Sequence, residues 1–152
     1  MIENKEFLII RELKYLSPDY ISSLELRDKV LRKPLGLCLF DENLENEKND
    51  VHIGAFINNH IVGILILTRQ NAMEIKMRQV AVDEVFRNKK TGSKLVFYAE
   101  EYSTNNGYLT MILNARKTAV GFYEKMGYEK ISDEFLELNI PHYKMSKRIV
   151  RD

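Results

Sequence analysis

Apolar and polar residues alternate along this chain in short runs, and the period switches repeatedly between two and about 3.6. Phe7 to Leu13 reads as a strand. Ser17-Pro18 then supplies an N-cap and a first-turn proline for a helix reaching about Arg32, with Ile21, Leu24, Val30 and Leu31 on its apolar side. Lys33-Pro34-Leu35-Gly36 ends that helix. The polar run Asp41 to Asp50 is too hydrophilic for a core and is expected as a mobile, exposed loop or short helix.

Val51, Ile53, Ala55 and Ile57 alternate with other residues up to Asn58-Asn59, and the apolar run Ile61 to Leu67 follows, which is a hairpin signal with a two-residue turn. The second arm is apolar on both faces and should lie inside the sheet. In the next strand Met73, Ile75 and Met77 are apolar at odd positions, whereas Val80 and Val82 are apolar at even ones. A strand cannot exchange faces without an extra residue, so a β-bulge is expected between Met77 and Val80; burial of the strand end on both faces is the alternative. Leu95, Ala99 and Tyr102 mark a helix closed by Asn106-Gly107, and Leu109 to Leu113 a short strand. Ala119, Phe122, Tyr123 and Met126 mark the buried face of another helix, stopped by Gly127. Tyr128 to Ile149 holds two further strands, with Pro141-His142 at a turn or edge. This order predicts an α/β (α+β) fold on one mixed sheet.

A length of 152 residues with 45% hydrophobic content suits one domain spanning residues 1–152. Twenty-three basic and twenty-two acidic residues give a net charge of +1, which offers no case for a nucleic-acid or membrane partner. The start MIENKEFLII resembles a first strand more than a signal peptide, and the lone Cys38 excludes an internal disulfide, so a cytoplasmic location is expected. Cys38 itself is expected as a small buried hydrophobe beside Leu37 and Leu39. His52, His60 and His142 are scattered with no Cys or carboxylate at ligand spacing, so no metal site is expected, and a hairpin His belongs at the surface.

Two segments carry chemistry. AVDEVFRNKKTGSKL, Ala81 to Leu95, concentrates Arg87, Lys89, Lys90 and Lys94 at the start of a helix, where the positive dipole end favours a diphosphate. NARKTAVGFYEKMGY, Asn114 to Tyr128, sets an Asn-Ala step before a helix with a Phe-Tyr pair and a Gly stop. In order and spacing, residues 73 to 128 resemble the acetyl-CoA site of the GNAT N-acetyltransferase superfamily, small single-domain bacterial type. The family's loop pattern is Gln or Arg, two residues, Gly, one residue, then Gly or Ala. Arg87 and Gly92 match its ends, and Lys90 stands at the central Gly.

The resemblance implies a mostly antiparallel central sheet flanked by helices, with a bulge and strand splay at the cofactor. It implies acetyl-CoA as cosubstrate, its diphosphate on Arg87, Asn88, Lys89, Lys90, Thr91, Gly92 and Ser93. The pantetheine would lie along Val80, Ala81 and Val82, with the Val80 amide facing the thioester oxygen. Asn114 would bond the pantetheine arm or, on its own residue logic, cap the next helix. Phe122 would contact the cofactor, and Tyr123 would protonate the departing thiolate. Glu74, Glu134, Glu137 and His142 are the acceptor-binding or base candidates. The expected reaction is direct acetyl transfer to a primary amine, on a small molecule or peptide, in a ternary complex. A CoA-binding module without turnover, and an interaction domain that binds no CoA, are the rivals. Exposed C-terminal strand edges are compatible with a homodimer.

Overall fold

The structure, a computed structural model, describes residues 7–150. Strand β1 (Leu8–Leu13) leads to helix α1 (Pro18–Arg27), which opens at an N-cap where Ser17 Oγ accepts from the Tyr20 amide at 3.2 Å. A π turn (Asp28–Arg32) and a 3-10 turn (Lys33–Leu35) follow, and Gly36 at φ +72° ends the run. Two further 3-10 turns, Leu39–Asp41 and Leu44–Glu47, precede strands β2 (Val51–Ile57), β3 (His60–Arg69) and β4 (Glu74–Val82). A 3-10 turn (Glu84–Lys89) then enters α2 (Thr91–Asn105). The chain ends in β5 (Thr110–Arg116), α3 (Val120–Lys125), β6 (Glu129–Lys130), β7 (Phe135–Glu137) and β8 (Ile140–Arg148).

Two compact units emerge. The first comprises residues up to Leu67 with Gln79–Ala99, and the second Thr68–Arg78 with Glu100 onward. In the first, β1, β2 and β3 pair antiparallel, and Asn58 and Asn59 at φ +51° and +64° make the tight hairpin turn read from the sequence. The β2–β3 ladder slips between Ala55 and Phe56, a bulge that no change of apolar phase announced. Leu13, Leu26, Phe56, Ile64 and Ala81 form one core cluster, and Tyr20, Leu24 and Leu39 another. In the second unit β4 pairs β5 in parallel, β5 pairs β8 antiparallel, and β8 carries both β6 and β7. One parallel pairing among antiparallel ones is the mixed sheet that was expected.

Several expectations need correction. Ile21 is 47% exposed, because the inward stripe of α1 is Tyr20, Ser23, Leu24 and Arg27 at helical spacing. The run Asp41 to Asp50 does reach the core: Leu44 packs against the Tyr20, Leu24 and Leu39 cluster, and Glu47 is 6% exposed. It accepts from Arg27 Nη1 at 2.8 Å and Nη2 at 2.5 Å, and from the Tyr20 hydroxyl at 3.0 Å. His52 is buried, not at the surface, with Nε2 3.0 Å from the Glu47 carbonyl and its ring against Tyr20. Cys38 is exposed, since only Leu39 of the Leu37-Cys38-Leu39 trio turns inward. Residues after Tyr128 form three strands, and Pro141 and His142 lie within β8. Among the described residues no helix is long and apolar enough to cross a membrane.

Burial pushes the Glu47 carboxyl up, but the Arg27 guanidinium and the Tyr20 hydroxyl outweigh it and hold the group below its ordinary value. A depressed carboxyl stabilises the fold fully above its unfolded pKa of about 4.3, and that contribution is lost as pH falls through the lower folded value. Glu47→Gln should therefore cost about 3–5 kcal/mol at pH 7, because it leaves Arg27 buried without its counter-charge. In urea titrations the gap between wild type and variant should narrow as pH is lowered from 6 to 3.

Candidate active site

The approach to α2 is built by close contact. A Cβ at Gly63 would sit 2.7 Å from Leu95 Cδ1 and 3.4 Å from Thr91 Cγ2, so the bare backbone of β3 lets the first turns of α2 lie against the strand. Thr91, fully buried, donates its hydroxyl to the Phe86 carbonyl at 3.2 Å, and Ser93 Oγ donates to the Lys90 carbonyl at 3.0 Å. Lys90 takes φ +59°, ψ +22°, the left-handed conformation for which the GNAT pattern carries glycine. The loop thus follows a glycine-type path with a lysine, at a cost on the order of 1 kcal/mol. Arg87 Nε donates to the Val82 carbonyl at 3.2 Å, which ties the loop to the end of β4. Gly92 is half-buried, and Lys94 is exposed in the first turn. Asn88 and Lys89 belong to the 3-10 turn by backbone, and their side chains lie outside the described residues. First-turn amides of a helix lack intrahelical acceptors and point out of its N-terminus, which suits an anionic ligand.

On β4, Ile75 and Met77 are buried, Val80 is half-buried, and Ala81 and Val82 are buried. The residue between the two phases, Gln79, takes φ +56°. The strand leaves regular β geometry there, within the interval where the sequence pattern placed a bulge. The ladder with β5 runs from Glu74↔Thr110 to Met77↔Leu113 and ends there.

In the second unit β5 extends to Arg116, so Asn114 lies inside the strand opposite Lys144 and caps no helix. Tyr123 is 7% exposed, and its ring meets Phe122 and Tyr128 edge-on at 5.0 Å and 5.8 Å. Phe122, expected on the buried side of α3, is 37% exposed; a helix of six residues has room for one inward aromatic. The buried tyrosines differ in what their hydroxyls do. Tyr20 donates to Glu47 at 3.0 Å and Tyr128 to Glu100 at 2.8 Å. The Tyr123 hydroxyl makes no hydrogen bond among the described residues, and burial alone pushes its pKa up to about 12.

The base candidates separate. Glu74 is half-buried opposite Thr110, apart from the others. Glu134 pairs with Lys117 at 3.1 Å and accepts from the Tyr143 hydroxyl at 3.5 Å. Glu137 faces Asn114 Nδ2 at 3.4 Å and His142 Nε2 at 3.3 Å, so three residues singled out by the sequence meet in one cluster. Among the described residues no group of three His, Cys, Asp or Glu is disposed to hold a metal ion.

The family model described as an acetyltransferase (GNAT) domain matches residues 36–149. The chain belongs to that GNAT family. It is 26% identical to the uncharacterized N-acetyltransferase YitI of Bacillus subtilis over 82% of this chain and 86% of the relative. By fold it is similar to a Lactobacillus plantarum structure assigned as an N-acetyltransferase, with TM-score 0.82 and 21% identity over 97% of this chain and all of the other. It is also similar to a GNAT acetyltransferase from Elizabethkingia anophelis with acetyl-CoA bound, with TM-score 0.69 and 17% identity, covering 93% and 97%.

Beyond the residues read from its sequence, this GNAT chain places Lys76 near the candidate cluster. Burial pulls its pKa below the ordinary lysine range, and the Glu137 carboxylate counteracts that pull. Its position between Ile75 and Met77 in an alternating strand was the available signal. Gly63 was missed too, since a glycine in an apolar run has no pattern to break. Gly63→Ala would press a methyl group on the fully buried Leu95. The substitution should destabilise the fold by about 1–3 kcal/mol, read as a lowered urea midpoint.

Proposed function

We propose that this chain is an acetyl-CoA-dependent N-acetyltransferase that moves the acetyl group to a primary amine by direct attack in a ternary complex. The observation that carries the reading is Tyr123: its ring is locked between aromatics while its hydroxyl stays unused, at the position that the family motif reserves for the acid. Membership of the GNAT family and the acetyl-CoA bound to the Elizabethkingia protein support acetyl-CoA as cosubstrate.

In this reading the α2 N-terminus and the loop from Arg87 to Ser93 take the diphosphate, and the backbone of Val80 to Val82 pairs with the pantetheine amides. The Val80 amide stabilises the oxyanion formed as the amine attacks. Asn114 Oδ1 accepts from the arm, and the exposed Phe122 ring covers part of it. The C–N bond forms, the C–S bond breaks, and Tyr123 donates to the sulfur as negative charge collects there.

Burial makes Tyr123 a weaker acid than an ordinary phenol, not a stronger one. With its pKa near 12 and a thiol near 8.5, full transfer to a free thiolate runs uphill by about 3.5 units, or about 5 kcal/mol. The hydroxyl therefore works as a hydrogen-bond donor that is fully protonated at any working pH. The acceptor is a small molecule or a peptide with a free amino group, and a homodimer is compatible with the outer edge of β1, which no described strand covers.

Acetyl-CoA at 100 times its dissociation constant should stabilise the protein by about 2.7 kcal/mol, and free thiol should appear when a suitable amine is added. Tyr123→Phe should lower kcat about 10- to 100-fold with little change in the KM for acetyl-CoA. The ratio of wild-type to variant rates should stay flat from pH 7 to 10. Binding without thiol release across a broad amine panel would instead favour a sensing module.

A further inference from the structure

The cluster around His142 has more order than a chance surface contact requires. Strands β7 and β8 are joined by Leu138 and Asn139 at φ +52° and +61°, so Glu137 lies opposite Ile140 and Phe135 opposite His142. A leucine in the left-handed region is strained, and such strain collects where a fold holds functional groups in place. His142 is 5% exposed and stacks on Phe135 at 5.9 Å. Its Nδ1 is 2.7 Å from the Ile140 carbonyl oxygen, which can only accept, so Nδ1 carries the proton. In the neutral ring Nε2 is then a lone pair, and it faces Glu137 Oε2 at 3.3 Å. The other carboxylate oxygen accepts a long bond from Asn114 Nδ2 at 3.4 Å. A lone pair set against a carboxylate is short of one proton.

We propose that Glu137 and His142 together accept the proton of the acceptor amine, Glu137 touching the incoming ammonium and His142 receiving the proton through it. The proposal rests on the N-acetyltransferase reading above and identifies the acceptor class as alkyl amines that are protonated at neutral pH. Glu137 is half-exposed and is the catalytic residue of the pair; His142 is a positioning residue that acts through it.

The division of labour follows from reference acidities. An alkyl ammonium is about six units weaker an acid than a carboxyl and about four weaker than an imidazolium, so an imidazole lowers the proton-transfer barrier more. Carboxylates attract the cation; imidazoles hold the proton. The ammonium gives one proton through Glu137 to His142 Nε2, and the imidazolium formed sits between two acceptors, Glu137 and the Ile140 carbonyl. The neutral amine then attacks the thioester carbon. The second nitrogen proton leaves as the C–S bond breaks and balances the charge on the departing sulfur. In the β5–β8 ladder Arg116 lies opposite His142, and Lys144, two residues further along β8, lies opposite Asn114. After each turnover the proton returns to solvent through Glu137, whose side chain is half-exposed.

The test compares Glu137→Gln and His142→Asn with wild type on two acceptors of equal length, a primary alkyl amine and an alkoxyamine that is already neutral at pH 7. The amide side chain introduced by His142→Asn can keep the bond to the Ile140 carbonyl while lacking the second ring nitrogen. Both variants should still be stabilised by acetyl-CoA. Each should lose about 100-fold in kcat/KM on the alkyl amine and less than about 3-fold on the alkoxyamine. Equal losses on both acceptors, or none, with acetyl-CoA stabilisation intact, would overturn the pair and leave the reaction standing. A selective loss in Glu137→Gln alone would remove His142 from the scheme, and if His142→Asn does not fold, Glu137→Gln decides for the carboxylate. A wild type that acetylates neither acceptor and is not stabilised by acetyl-CoA would remove the reaction and the pair together.

Discussion

A β-strand shows alternate residues to its two faces and cannot change that assignment without a break in its backbone. Strand β4 makes the break at Gln79, whose φ of +56° lies outside the extended region. Below it, Ile75 and Met77 face the core of the second unit, and the ladder with β5 holds from Glu74 to Met77. Above it, Ala81 and Val82 belong to the first unit, whose core takes in Ala81. The boundary between the compact units falls at the same place, between Arg78 and Gln79. One residue's conformation thus decides which part of the strand is committed to side-by-side pairing with β5 and which part is released from it.

The rest of the chain serves to keep that arrangement rigid in each unit. In the first, a buried ion pair between Arg27 and Glu47 fastens the turns after α1, and Gly63 lets α2 lie close to β3. In the second, Glu100 takes the Tyr128 hydroxyl and the Lys147 ammonium, each at 2.8 Å, which holds the Tyr128 ring against Tyr123 just past the end of α3. Both units satisfy a buried carboxylate with one cation and one phenol. Such pairs add little net stability over a well-packed apolar core, but they fix geometry, because a misplaced partner leaves a charge buried and unpaired.

What could be read in advance divides along physical lines. Local rules worked where the backbone conformation is set locally: the Ser17 cap, the Asn58-Asn59 turn, the Gly107 and Gly127 stops, and the phase change on β4. They failed where a polar group was buried by a partner far away in sequence. Glu47 and His52 looked like solvent residues because nothing near them predicts Arg27 or Tyr20. Ile21 and Phe122 failed for the opposite reason: an apolar residue was assumed to face inward, although exposed apolar side chains are common. The motif residues lie on described elements, but spacing alone could not tell that Asn114 sits inside a strand, or that Glu137 and His142 meet across a strained turn.

The three buried tyrosines isolate what is unusual about one of them. Tyr20 and Tyr128 also have pKa values raised by burial, but each donates to a carboxylate, so burying the hydroxyl costs little. Tyr123 accepts the same desolvation without a partner. Its ring is buried, but its hydroxyl oxygen is not among the buried polar atoms left without a partner, so that oxygen reaches solvent at the edge of the packed ring. The ring packs against Phe122 and Tyr128 as a phenylalanine ring would, and the hydroxyl takes no part in those contacts. A hydroxyl that reaches solvent with no partner among the described residues can donate to a ligand without giving up a bond within the protein. A sulfur gaining negative charge suits a donor of this kind, because a phenol that stays protonated can stabilise the charge without surrendering its proton.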